Sequence, residues 1–317
     1  MKYTKKFFSF EEQINLLEKR GIQFLNIDKK NAITRVSHIN YFKFSGYIKN
    51  FEKGKDMYEN VDFLEILDLY YFDKELRNLL FNAIEKIEIS FKTKLAYYIA
   101  EATKEKGGIS YVDLKTWVNK DKVIDKYDKK PWEEKDKIKF LKKSIEFKES
   151  ICRYTARGGD IFVLNYFNKY EEDFLPIWMF IEIADFGKAC DMYRIAKTDI
   201  RKKVAMDYGL YANDLDFYLK TIKLIRNISA HNGILWNIKL VNEINKDIIR
   251  KFDGKIENNK LIAVVLLIKD IIFKINEKYD FDRISNHLIN YFEKYPKQLK
   301  KFGLRYEELN LLKELLK

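Results

Sequence analysis

A chain of 317 residues with 47% apolar and 15% aromatic side chains can bury a sizeable core, which excludes a disordered tail or linker as its class. Only 3 prolines and 12 glycines punctuate it, too few for the turns of a β-sandwich or barrel, so composition predicts an all-α fold. The net charge of +12, from 60 basic against 48 acidic residues, favours polyanionic partners, although an AT-rich, lysine-heavy coding sequence would produce the same surplus.

Cys152 and Cys190 lack C-x-x-C spacing and predict reduced thiols, not a disulfide scaffold or a zinc site. The first residues, Met1 to Phe7, are basic with no apolar signal core behind them. The longest apolar run, Leu261 to Ile268, stops at Lys269-Asp270, too short for a membrane span. These features predict a cytoplasmic protein with no membrane segment.

In chain order, Ser9 and Glu12 form a capping-box pattern that opens a helix to Arg20, closed by Gly21. Asp28 caps a second helix to about Ser37. Asn40 to Tyr47 is dense in aromatics and is broken by Gly46; Tyr41 and Tyr47 beside Lys43 either stack nucleobases or fill the core. From Phe63 to Ala102 runs the clearest helix, or a bent pair, with Leu76, Leu80, Ile84, Ile87, Phe91 and Leu95 on one apolar stripe. Arg77, Glu85, Glu88 and Lys92 lie on its other side, where Glu88 and Lys92 have the spacing of a surface ion pair. Residues 104–149 carry 14 Lys and 10 acids around Pro131, the texture of a solvated helix pair or mobile insertion.

Further helices are expected from Ile161 to Tyr170, and from Pro176 through Ile177, Phe180, Ile181 and Ala184 to Gly187. Another is capped by Asn213 to Asp216 and packs Leu215, Leu219, Ile222 and Ile225. Beyond it, Leu240 to Phe252, Leu261 to Tyr279, Phe281 to Tyr295 and Tyr306 to Lys317 also read as helices.

The helix that begins near Asn213 ends in Arg226-Asn227-Ile228-Ser229-Ala230-His231, with Asn232-Gly233 behind it. Asn227 and His231 are four apart and share a face, and the long Arg226 side chain reaches the same cleft. Beside an RNA phosphodiester, an imidazole can move a proton at neutral pH, a guanidinium can hold phosphate charge, and an amide can orient both. The set needs no metal or other cofactor. One histidine cannot easily serve as both acid and base, so a two-fold dimer that joins two copies of the motif would supply the second. His38 and the i,i+4 pair Arg283 and His287 are read as packing or capping residues.

This R-N-x-x-x-H string in a basic helical chain resembles the R-x4-6-H motif of HEPN ribonucleases. Other stretches resemble the AbiD/AbiF abortive-infection proteins of that superfamily: Gln13-Ile14 through Arg20-Gly21, Asn40 to Tyr47, Tyr71 to Arg77 and Ile84 to Ile89. Leu175 to Trp178 with Phe186-Gly187, and Leu235-Trp236-Asn237 after the motif, extend the likeness over residues 9–237. The family pattern often has Arg where this chain has Lys43. The resemblance implies a HEPN-like helical bundle over 9–237; within it the charged stretch at about 104–149 reads as a helical insertion, and beyond Ile238, where no comparable match is found, the pattern gives additional C-terminal helices over 238–317. It implies an antiphage abortive-infection protein, a metal-independent endoribonuclease acting as a homodimer through Arg226, Asn227 and His231, with Glu88 in support. A bound structured non-coding RNA is a further implied partner. The competing expectation is a non-catalytic RNA-binding protein that holds such an RNA and senses phage.

Overall fold

The computed structural model describes residues 6–104, 107–128, 130–157, 159–241, 243–244, 254–305 and 307–316. Among them the chain is helical throughout, with only two short strand pairs. Helix α1 (Phe10–Lys19) starts in the expected capping box: the Ser9 hydroxyl accepts the Glu12 N–H, and the Glu12 carboxylate accepts the Ser9 N–H at 2.6 Å. Strand β1 (Ile22–Gln23) follows, then α2 (Lys29–Ser37), capped by Asp28 as the sequence predicts.

Helix α3 (Tyr41–Ile48) runs straight through Gly46. The glycine is not a break. A Cβ there would sit 2.4 Å from Ile234 Cδ1, so the missing side chain allows a later loop to pack against the helix. Strands β2 (Glu52–Gly54) and β3 (Met57–Tyr58) form an antiparallel pair, and β4 (Val61–Asp62) lies parallel to β1 in register Ile22 to Val61.

Helix α4 (Phe63–Ala102) is one unbroken rod of 40 residues, about 60 Å at 1.5 Å per residue. No Gly or Pro interrupts it, and the Asp62 carboxylate accepts the Leu64 N–H at its start. Each residue of its predicted stripe, from Leu76 to Leu95, is at most 1% exposed. Burial on that scale stabilises by roughly 1.5–3 kcal/mol per side chain. Arg77 and Lys92, predicted on a solvated side, are buried as well, because helices cover the rod on several flanks.

The next segment differs from its predicted texture. After two 3-10 turns comes α5 (Lys120–Val123), then α6 (Glu134–Arg157). Tyr111 and Trp117 are fully buried, the Trp117 indole N–H donates to the Tyr111 carbonyl at 2.7 Å, and Val118 forms a bridge with Ala196. This part of the charged segment therefore belongs to the packed interior, whereas Tyr127, Asp128, Lys130 and the outer face of α6 keep the solvated character the lysines suggest.

Helices α7 (Ile161–Lys169), α8 (Ile177–Ile183), α9 (Phe186–Ile195) and α10 (Thr198–Met206) lead to α11 (Ala212–Ala230). The helix expected to run on to Gly187 ends at Ile183, because Ala184 and Asp185 are extended and the Asp185 side chain caps α9 instead. Pro176 stands at the N-cap of α8 rather than in its first turn. The start of α11 also differs: Tyr211 occupies the N-cap and no side chain caps it. Its apolar stripe is as predicted, with Leu215, Leu219, Ile222 and Ile225 all buried.

Most of the helix expected over Leu240 to Phe252 lies outside the described residues. Then α12 (Leu261–Ile275), α13 (Asp282–Lys294), α14 (Leu299–Phe302) and α15 (Leu309–Leu316) close the chain. Helices α8, α10, α11, α12 and α13 all pack on α4, which is the axle of the core. Phe72 of α4 stacks on Tyr291 with centroids 3.9 Å apart, so the C-terminal helices share that core. No helix of the described residues is long and apolar enough to cross a membrane.

Candidate functional site

Helix α11 ends at the motif through a defined cap. His231 is the C-cap, and its N–H donates to the Asn227 carbonyl at 3.0 Å. Asn232 follows in the left-handed region at φ 53°, its N–H reaching the Ser229 carbonyl, while the Gly233 N–H returns to the Ile228 carbonyl at 2.7 Å. This is the Schellman pattern, with Asn in place of the more usual Gly at the left-handed position. The geometry leaves Asn227 and His231 exposed on the last turn.

Arg226 faces the other way round the helix, toward α4. Its Nε lies 3.5 Å from Glu88 Oε2, and its guanidinium stands 5.9 Å from the centre of the Phe81 ring. The two side chains are 30% and 15% exposed, so the pair is half-sheltered. Burial raises the Glu88 pKa above the ordinary carboxylate range, against the pull of Arg226 and Lys92. Lys92 does not pair directly with Glu88 as i,i+4 spacing suggests; its ammonium donates to the Glu182 carbonyl at 3.1 Å. Burial lowers the Lys92 pKa, opposed by Glu88, Glu182 and Asp185. Among the described residues no hydrogen bond joins the side chains of Arg226, Asn227 and His231. The fold presents them at one helix end without linking them.

Of the two readings open for Tyr41, Lys43 and Tyr47, stacking nucleobases or filling the core, Tyr47 takes the second. The Lys43 ammonium donates to the carbonyl of Asn232, directly behind His231. Burial and the nearby Arg77 lower its pKa. Tyr47 is fully buried and offers no face to a base. Its hydroxyl donates to Asp73 Oδ2 at 2.6 Å and accepts from Arg77 Nη1 at 3.1 Å, and Arg77 also pairs with the Asp73 carboxylate. Tyr41 is half-buried, and burial raises its hydroxyl pKa.

The buried Tyr47–Asp73–Arg77 cluster reaches the motif through the backbone. Asp73 Oδ2 also accepts the Leu235 N–H at 3.3 Å. Trp236 next to it stacks on Phe302, and the Lys260 ammonium donates to the Asn237 amide oxygen at 2.8 Å. The chain leaving His231 is thus gripped by α3, α4 and the C-terminal helices. Asp73 and Arg77 escaped the sequence reading as a buried pair, although their i,i+4 spacing inside a strongly apolar helix was a usable signal.

A second carboxylate, Asp185, lies beside the Arg226–Glu88 pair. It caps α9 by accepting the Lys188 N–H at 2.7 Å and receives the Tyr154 hydroxyl from α6 at 2.5 Å. Burial pushes its pKa up, but Tyr154, the Lys188 N–H and Arg226 outweigh that and hold it below the ordinary range. The Lys188 ammonium bonds Ser150 Oγ at 2.5 Å over the Phe147 ring, and burial lowers its pKa to about 8. Between pH 8 and the ordinary lysine range the folded chain gives up this proton before the unfolded chain does, so folding stability rises with pH there. Lys188→Met should accordingly be most favourable, relative to wild type, near pH 7. That advantage should shrink as pH climbs past 8, as read by Tm in a pH series.

Among the described residues, no group of three or more His, Cys, Asp or Glu side chains converges to hold a metal ion. No curated protein and no solved structure shows significant similarity to the chain. A family comparison does: the stretch from α2 through the motif to Asn237, residues 34–237, matches the Abi-like protein family, and with about two thirds of its length matched the chain belongs to that abortive-infection family.

Proposed function

We propose that the protein is an antiphage, metal-independent endoribonuclease of the HEPN type, working as a homodimer in which two copies of the α11 end face one RNA phosphodiester. The observation that carries this reading is the divided placement of the motif. Asn227 and His231 are exposed on the last turn, while Arg226 is steadied from α4 by Glu88. His231 takes or gives a proton at the 2′-hydroxyl or the leaving 5′-oxygen. Arg226 binds the phosphate and the negative charge that grows on it, and Asn227 orients the substrate through its amide. The 2′-oxygen attacks phosphorus, the bond to the 5′-oxygen breaks, and the products carry a 2′,3′-cyclic phosphate and a 5′-hydroxyl. A second His231 from the other copy supplies the complementary proton transfer.

Two exposed apolar side chains support a covered face at this place. Ile89 on α4, 56% exposed, and Leu224 on α11, 43% exposed, belong to the two helices joined by the Glu88–Arg226 pair. The test is incubation of purified protein with labelled RNA in EDTA, followed by analysis of the product ends. Cyclic phosphate and 5′-hydroxyl ends support the reading. Intact RNA, retained as a discrete species with the protein, would instead favour an RNA-holding module. Glu88→Gln should lower the cleavage rate about tenfold with little change in KM, since it loosens Arg226 without removing a group that touches RNA.

A further inference from the structure

We propose that the outer face of α6 binds a second copy of this chain as an antiparallel helix pair. The helix is two-faced. Phe140, Phe147 and Ile151 are buried against the body, whereas Ile138, Leu141 and Ile145 are 61%, 61% and 50% exposed. Spacings of three and four put these last three on one stripe, and they line a groove of about 480 Å³ together with Lys142, Glu146 and Glu149.

The charges on that groove select the occupant and its direction. On helix geometry, Lys142, Glu146 and Glu149 follow one edge of the stripe, with the lysine toward the N-terminal end and the glutamates toward the C-terminal end. A parallel two-fold copy would carry this edge to the far side of the contact, where its lysine and glutamates do not meet their own counterparts. An antiparallel copy, related by a two-fold axis near residue 144, sets Lys142 of each copy opposite Glu146 of the other, while Leu141 and Ile145 interdigitate at the centre. An isologous contact needs this kind of self-complementary edge. Glu146 already meets Lys143 at 2.9 Å, but both are about two-fifths exposed, and such a surface pair exchanges at little cost. One helix face is smaller than a standard interface, so the association is weak and concentration-dependent.

This contact lies on α6, not on the helix that carries Arg226 and His231, and does not depend on the nuclease reading. Whatever species the cleft contact makes, α6 pairing joins two of them at a separate, concentration-dependent step, and variants on this face act on that step alone. Sedimentation of the full chain over a concentration series tests it. Lys142→Glu and Glu146→Lys should each weaken that association about tenfold, because each turns two attractive pairs into two repulsive ones. The double reversal should restore it, and Leu141→Glu should abolish it. Equal association in all variants, or a double reversal that fails to restore it, overturns the proposal; that is also the outcome if RNA or another protein is what covers the stripe. Spin labels on the exposed Cys152 give the direction, since Cys190 is buried. Antiparallel pairing places the labels about 25 Å apart along the helices. A separation of about 10 Å would show a parallel pair and overturn the assignment.

Discussion

His231→Ala is expected to abolish RNA cleavage, with a rate loss of about 10²- to 10⁴-fold, while RNA affinity changes by no more than about twofold. The asymmetry follows from what the residue does in the fold. His231 is exposed, and its contribution to the helix end is made by its backbone N–H, which alanine keeps. Stability should therefore move by no more than about 0.5 kcal/mol, as for other surface substitutions. Affinity rests on phosphate contacts by many cations of a chain with net charge +12, and one imidazole adds little to that sum. Cleavage kinetics, a salt titration of RNA binding and a melting curve on the same preparation check all three. If the alanine variant cleaves RNA at the wild-type rate, the proton-transfer role of His231 is wrong.

Asp73→Ala is expected to be the most damaging single change outside the motif. It strands the Arg77 guanidinium, 3% exposed, without its counter-charge, and leaves the Tyr47 hydroxyl and the Leu235 N–H without their acceptor. Breaking a buried pair in this way costs about 3–5 kcal/mol, which lowers Tm by about 10 °C in a chain of this size. Tyr47→Phe removes one hydrogen bond from the same cluster and should cost about 1–2 kcal/mol. The effect should also reach the site without touching RNA. Amide exchange at Leu235 should speed up, and cleavage should fall, because the segment that holds the end of α11 loses its anchor. Wild-type exchange at Leu235 in the Asp73→Ala variant would show that the cluster does not hold this segment.

The all-α class was written in the scarcity of Gly and Pro, and α4 in a 40-residue stretch with neither. Local rules sufficed where the forces are local: the Ser9–Glu12 capping box, the Asp28 cap, the apolar stripes of α4 and α11, and the helix end at Asn232-Gly233. They failed where packing decides. Gly46 looks like a break in sequence, yet it is a point of close approach to Ile234, 188 residues away. Tyr47 beside Lys43 leaves a base-stacking platform and a core position both open in sequence. Tyr47 is buried in a charge cluster and Lys43 is spent on a backbone carbonyl.

The sequence alone determined which residue types stand together at the end of α11, because spacing along one helix is enough to set Arg226, Asn227 and His231 within two turns. Only the tertiary structure decided which of them faces inward. Helix α4 brings Glu88 to Arg226 across 138 positions of sequence, and the buried Asp73 reaches from the same rod to Leu235. Such pairings depend on which helices lie side by side in the core, and no period or cap in a single segment encodes that choice.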